Sequence, residues 1–324
     1  MKRTTKVNKS ALFELVGYTP HAGQWEVHNS TASRRIVACG VRWGKSTCAA
    51  MECVAALLDP AHARLGWVVA PTYDLTQRVH LAVLQVFRTS LKHRLKEYAE
   101  RDRMIVVRNL GGGLSRLQAR SADNPTSLLG EGLDFLIVDE AARLDRGVWD
   151  GHLSQRLLDR RGWALLISTP RGPNWFGQMV RRAERGEPNF RAWVSPSWEN
   201  PMLDRSLIEE ERRLLPKDAF EQEYEAAFVG AQNEVCFVCG GPDPAVPGVV
   251  LVKSGRELPR CRNCNEWTDL AGHSIVSRNP NGRPRLKRII LPDDGEPDPF
   301  VHLPPSSLLD SLKQELDARE SARG

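Results

Sequence analysis

The segment VACGVRWGKSTCAA, residues 37–50, constrains this chain more than any other. The apolar run RIVAC, residues 35–39, leads into it and contains β-branched residues, so it reads as a buried strand. The alanine-rich stretch KSTCAAMECVAALLD, residues 45–59, leads out of it and reads as a helix ending near Pro60. Strand, glycine turn, Lys-Ser and helix form the setting of a phosphate-binding (Walker A) loop, usually written G-x-x-x-x-G-K-[ST]. Here Cys39 occupies the first glycine position and Gly40 follows one residue late, while Gly44, Lys45 and Ser46 are in place. In such a loop the backbone N–H groups of Gly40, Val41, Arg42, Trp43, Gly44 and Thr47 and the helix N-terminus cradle phosphates. Lys45 supplies positive charge, and the Ser46 hydroxyl can bind Mg²⁺. The motif alone also fits a helix start with an exposed lysine.

Two further strand ends bear on that choice. LDFLIVDEAA, residues 133–142, is an apolar strand ending in Asp139-Glu140, in the manner of a Walker B strand. An aspartate there can hold the Mg²⁺ shell, and the following carboxylate can orient or deprotonate the attacking water. A strand that simply ends in solvated acids looks the same. Both motifs in this order point to ATP hydrolysis. WALLISTP, residues 163–170, ends in Ser168-Thr169-Pro170, which the fold would bring to the same carboxyl edge of a sheet. Those three residues also suit a turn with a capping hydroxyl. Gln24, in PHAGQWEV, could pair with an adenine edge through its amide or be a solvated helix residue.

The remaining pattern gives the fold class. RLGWVVAPT (64–72) is a second strand, and a long helix is expected over residues 74–101. MIVVRNL and LSRLQAR form a hairpin around Gly111-Gly112-Gly113, and helices are expected at 203–215 and 217–227. Apolar strands alternating with helices define an α/β, P-loop NTPase fold: a mostly parallel central sheet flanked by helices. At 324 residues the chain can hold one large core and a smaller unit. Its net charge of +5 is compatible with nucleic acid without requiring it. No apolar run approaches the ~20 residues of a membrane span. The start MKRTTKVNKSALFEL lacks the apolar core of a signal peptide, so a cytosolic protein with no membrane partner is expected.

Composition shifts near Gly230, which gives expected divisions at 1–230, 231–290 and 291–324. Cys39, Cys48 and Cys53 are expected as free thiols of the first division. Cys236, Cys239, Cys261 and Cys264 form two C-x-x-C pairs, the pattern of a four-thiolate structural Zn²⁺ site in a zinc-ribbon unit. Reduced structural thiols or a redox pair would give the same spacing. SRNPNGRPRLKR (277–288) places Arg278, Arg283, Arg285, Lys287 and Arg288 together, suited to phosphate-backbone contact or to a solvated loop. SSLLDSLKQELDARE (306–320) is an amphipathic helix for a partner or for packing on the ribbon. Asp243, Asp269, Asp293, Asp294 and Asp298 do not sit at the tips of apolar strands, so a two-metal nuclease is not expected here.

The motifs PHAGQWEV, ACGVRWGKST, VVAPTYDLTQ, SADNPTSLLGEGLDFLIVDEAA, LLISTPRGPNWF and PSWENP occur in that order. Together, over about residues 11–235, the chain closely resembles the large terminase subunit of tailed bacteriophages. In that family the loop often carries its first glycine one position late, as at Gly40. The resemblance implies an ATP-hydrolysing motor that translocates double-stranded viral DNA into a prohead, with ATP, Mg²⁺ and here Zn²⁺ as cofactors. Its implied partners are a homo-oligomeric ring, a portal, a small terminase subunit and a separate nuclease chain. Its implied location is the cytoplasm of the infected host, outside the mature virion. Helicase-type strand separation, and a nucleotide-gated DNA-binding protein with little hydrolysis, are the alternatives. Residue by residue, the resemblance places Lys45, Ser46 and Gln24 on the nucleotide, Arg42 at the γ-phosphate, Asp139 on magnesium and Glu140 in catalysis. Ser168-Thr169-Pro170 becomes a coupling motif. Two positions depart from the family: Leu129 stands where an arginine finger is common, and Val41 where a loop arginine is. Arg116, Arg120 and Arg143 are the nearby candidates to replace the finger.

Overall fold

The structure, a computed structural model, describes residues 6–172 and 174–229 and the backbone of two short strand pairs beyond them. The chain divides into two compact units, Met1–Val229 and Gly230–Gly324. In the second unit the described pairs are Val250–Leu251 with Arg256–Glu257 and Val276–Arg278 with Pro284–Leu286, both antiparallel.

The first unit is built on one sheet of eight strands: β1 (Arg34–Cys39), β2 (Leu65–Ala70), β3 (Leu95–Ala99), β4 (Met104–Arg108), β5 (Leu114–Ser121), β6 (Phe135–Asp139), β7 (Trp163–Ser168) and β8 (Phe190–Ser195). Their order is β3-β4-β5-β2-β6-β7-β1-β8; β3, β4 and β5 pair antiparallel and all other pairings are parallel. The central strands carry apolar residues on both faces because both faces are covered. Val37, Val68, Ile137 and Leu165 point into one core, while Ile36, Val69, Leu136 and Leu166 point into the other. The first core is closed by α1 (Lys9–Leu15), α2 (Ala22–Asn29), α3 (Lys45–Leu57) and α4 (Tyr73–Arg88). The second is closed by a short α5 (Arg146–Val148), the turns around it and α6 (Trp175–Glu184). Two further helices, α7 (Arg205–Leu214) and α8 (Lys217–Glu223), end the unit. Gly66 on β2 faces the Phe135 ring, and a Cβ there would overlap it, so only glycine lets β2 and β6 close at that point.

The expected helix over 74–101 is shorter than its pattern. α4 stops at Arg88, where the Thr89 and Leu91 amides turn back to the Gln85 and Val86 carbonyls at 3.0 Å. Residues 95–99 then pair with β4 as an edge strand, with Leu95 and Tyr98 packed on the core. Pairing with β4 overrides a composition that is neutral between helix and strand. The β4–β5 hairpin forms as its pattern indicates, whereas edge strand β8 had no distinct signal in the sequence.

Candidate functional site

β6, β7 and β1 are parallel neighbours, so Asp139, Ser168 and Cys39 end at one rim of the sheet. The loop after β1 rises from that rim and α3 starts at Lys45, with Gly44 as its N-cap at φ +99°. This left-handed turn suits glycine, and a Cβ there would also collide with the Gln24 amide. Lys45 folds back into its own loop: Nζ donates to the Cys39 and Gly40 carbonyls at 2.7 and 2.8 Å and to Thr169 Oγ1 at 3.1 Å. Burial lowers the ammonium's pKa, and the nearby Glu140 and Asp139 charges oppose that shift. Lysine, acid pair and Thr169 therefore lie together at one rim of the sheet. Ser46 follows on the first turn of α3, half-buried, and Thr47 is exposed.

Asp139 is 3% exposed. One of its carboxylate oxygens accepts the Glu140 N–H at 2.9 Å, and the other, Oδ2, is buried with no hydrogen-bond partner. Burial, and then the Glu140 charge, push its pKa up to about 7. A buried acceptor without a donor is costly unless a cation serves it, so this oxygen suits a Mg²⁺ ion. Glu140 itself sits at φ +52°, a strained left-handed position for a residue with a side chain. Its carboxylate meets the Arg78 guanidinium at 3.2 Å and that of Arg143 at 3.4 Å.

The other predicted residues fall around this rim. Ser168 is buried and its hydroxyl donates to the Thr169 carbonyl at 2.8 Å. Pro170 is buried behind it. Gln24 is also buried: it caps α2 by accepting the His21 N–H at 3.1 Å, and its Nε2 donates to the Gly44 carbonyl at 3.1 Å. One amide hydrogen and one lone pair remain for a base edge. Trp43 is fully buried against His21, ring centroids 4.5 Å apart. Arg42 is exposed at φ +61°.

Of the arginines near the finger position, Arg120 is tied down. Its guanidinium donates to Gln118 Oε1 at 3.2 and 2.9 Å and to the Ser127 carbonyl at 2.7 Å, and it lies over the Trp67 ring. Arg116 pairs with Leu65 at the start of the parallel strands, the rim opposite the loop. Arg143 is engaged by Glu140, and Leu129 is 53% exposed. Cys236, Cys239, Cys261, Cys264, Arg283, Lys287 and Arg288 lie outside the described residues. Arg278 and Arg285 lie on the last strand pair, of which only the backbone is described.

Sequence reasoning missed Arg78, whose place opposite Glu140 depends on the β2–β6 pairing. It also missed the cluster that fixes α3 from below. There Glu52 meets Lys9 at 2.6 Å, His28 at 2.7 Å and Arg35 at 2.5 Å. Only the polar residue Glu52 inside an apolar helix pattern hinted at it.

Fold and rim together define an α/β, P-loop NTPase fold class. Residues 36–237 match the model of the terminase large subunit, T4-like-virus type, N-terminal, and the chain belongs to that family. It is 35% identical over 265 residues to the terminase large subunit of Thermus phage G20c, covering 72% of this chain and 53% of that protein. It is 34% identical over 243 residues to the terminase large subunit of Escherichia phage T5, with the same coverage. The chain thus spans about half the length of the curated relatives it matches. The solved large-terminase ATPase domain of Thermus phage P74-26 is 34% identical, with a TM-score of 0.63 over 70% of this chain and 100% of that one. The large terminase of a thermophilic bacteriophage, solved in complex with ADP, shares the fold, with a TM-score of 0.56 at 15% identity, over 74% of this chain and 60% of that one.

Proposed function

We propose that this chain hydrolyses ATP at the rim formed by residues 40–47, Asp139, Glu140 and Thr169, as the motor part of a DNA-packaging terminase. The observation that carries this reading is the unpartnered buried oxygen of Asp139 at the same sheet rim as Lys45 and Glu140. Triphosphate would draw the Lys45 ammonium away from the Cys39 and Gly40 carbonyls. The helix N-terminus and loop amides would take the remaining phosphate charge. Asp139 and the Ser46 hydroxyl would hold Mg²⁺, which supplies charge neutralisation across the phosphates. Glu140, once clear of Arg78 and Arg143, would orient the attacking water. Thr169, left by Lys45, would report the change to the segment after β7. Gln24 would accept and donate to the adenine edge.

Membership of the terminase large-subunit family supports extending the proposal to translocation of double-stranded DNA into a prohead, by a homo-oligomeric ring acting with a portal and a small terminase subunit in the infected host's cytoplasm. Zn²⁺ on Cys236, Cys239, Cys261 and Cys264 is part of the same proposal, and a bound-zinc measurement of one ion per chain, lost in cysteine-to-serine variants, tests it. Among the described residues no helix is long and apolar enough to cross a membrane.

The test of the function is DNA-stimulated ATP hydrolysis by the purified chain, run beside strand-separation and endonuclease assays. Lys45→Ala and Glu140→Ala should each lower turnover at least about 100-fold. Unchanged turnover in both would overturn the reading, and strand separation would favour a helicase-type enzyme.

A further inference from the structure

PSWENP, residues 196–201, takes no part in the proposed chemistry, yet it is bound to the loop that does. Ser197 is fully buried. Its Oγ donates to the Val41 carbonyl at 2.6 Å, and its N–H donates to the Tyr224 carbonyl at 2.8 Å. Asn200 Nδ2 donates to the Arg42 carbonyl at 2.8 Å. The Gly40 N–H donates to the Ser195 carbonyl at 2.9 Å, and the Val41 N–H to the Glu223 carbonyl at 2.7 Å. Three consecutive loop residues are thus held from outside, by the end of β8, the turn after it and the end of α8. The fit is tight enough to require glycine at position 40. A Cβ there would lie 2.5 Å from Ser197 Oγ and 2.6 Å from the Tyr224 carbonyl oxygen.

The residue at the end of this hold is Arg42, at φ +61°. A residue with a β-carbon meets a steric penalty in that region and stays there only when its surroundings fix it. The Asn200 bond fixes the carbonyl of this strained residue, and the Ser197 bond fixes the one before it. Without them the loop would relax toward ordinary φ values and carry the Arg42 side chain to a different direction.

We propose that Asn200 and Ser197 are positioning residues for Arg42. By holding it left-handed, they keep its guanidinium where the γ-phosphate of a bound triphosphate arrives. The idea rests on the reading of this loop as a triphosphate site. It predicts a larger effect on the third phosphate than on the other two, because Lys45 and the amides from Gly44 onward, which would hold those two, are fixed by bonds to Cys39, Gly40, His21 and Gln24 rather than to Asn200 or Ser197.

The test is equilibrium titration of wild type, Asn200→Ala, Ser197→Ala, Arg42→Ala and the Asn200→Ala/Arg42→Ala double variant. The probes are Mg·ATPγS and Mg·ADP, with melting temperatures to establish folding. Loss of one such hydrogen bond should weaken Mg·ATPγS about tenfold in Asn200→Ala and leave Mg·ADP within about twofold. In the Arg42→Ala background, the Asn200 change should add nothing. Equal weakening of both nucleotides, or additive losses in the double variant, would overturn the proposal while leaving the nucleotide site intact. A folded wild type that binds neither nucleotide would overturn both. If the alanine variant does not fold, Asn200→Asp replaces it, keeping the shape and removing the donor.

Discussion

Glu52 and Asp139 are both 3% exposed carboxylates, one on α3 and one at the tip of β6, and they are treated in opposite ways. Glu52 is surrounded by Lys9, His28 and Arg35, whose charges and hydrogen bonds hold its pKa well below the usual carboxylate range despite its burial. Asp139 has one backbone donor for one oxygen and nothing for the other, and its pKa rises. The first has both carboxylate oxygens paired, in a network that ties α1, α2 and β1 to the helix bearing the loop. The second is incomplete without a cation. A satisfied buried acid marks a joint in the scaffold, and an unsatisfied one beside a lysine-bearing loop marks a site.

The contrast can be broken in several ways. Glu52→Gln should cost the most, about 3–5 kcal/mol of stability by denaturant melt, because Arg35 and Lys9 lose their counter-charge in a buried position. Nucleotide affinity of the folded variant should stay within about twofold. If stability is unchanged, the cluster is not a joint. Asp139→Asn should do the reverse. Hydrolysis should fall about 100-fold or more, while stability holds or rises because an uncompensated buried acid has been removed. A destabilised variant with normal turnover would erase the distinction.

pH separates the two acids by sign. Asp139 binds its proton more tightly folded than unfolded. Its contribution therefore stabilises the fold below about pH 4 and is lost as pH rises through about 7. Glu52 has the opposite sign: its contribution is present above the ordinary carboxylate pKa and is lost as pH falls towards its depressed value. Denaturant melts across pH should show a decline between about pH 4 and 7 that flattens in Asp139→Asn, and a loss at lower pH that flattens in Glu52→Gln. The smallest effect is expected at Arg78, which is 57% exposed in its pair with Glu140. Arg78→Ala should change stability by less than about 1 kcal/mol. A larger loss would make that pair a joint as well.

Most of the rim was legible in the chain. β1, β6 and β7 are short apolar runs, as parallel strands buried on both faces have to be, and β6 and β7 end in the polar residues Asp139 and Ser168. Lys45, Asp139 and Thr169 could therefore be placed at one edge before any coordinates. The contacts of the supporting residues were not legible, although Ser197 and Asn200 lie in the PSWENP motif. Arg78, Ser197 and Asn200 reach the site through β2–β6 pairing and the path after β8, which are long-range choices with no local pattern. β3 reads as helix in the sequence because residues 95–99 carry no strand alternation strong enough to outweigh a preceding helix.

The most direct test of the account is the Mg²⁺ dependence of nucleotide binding at the Asp139 oxygen. Wild type and Asp139→Asn would be titrated calorimetrically with ADP at pH 6, with and without Mg²⁺, in buffers of different ionisation enthalpy. The account predicts that wild type binds more tightly with Mg²⁺ and releases a proton on doing so, because the metal displaces the proton that burial keeps on Asp139. In Asp139→Asn the Mg²⁺ dependence should fall, and the proton release should shrink to the part that the ADP phosphate, which titrates in the same range, supplies in both proteins. Binding that ignores Mg²⁺ in wild type, or a proton release equal in the two proteins, would contradict it.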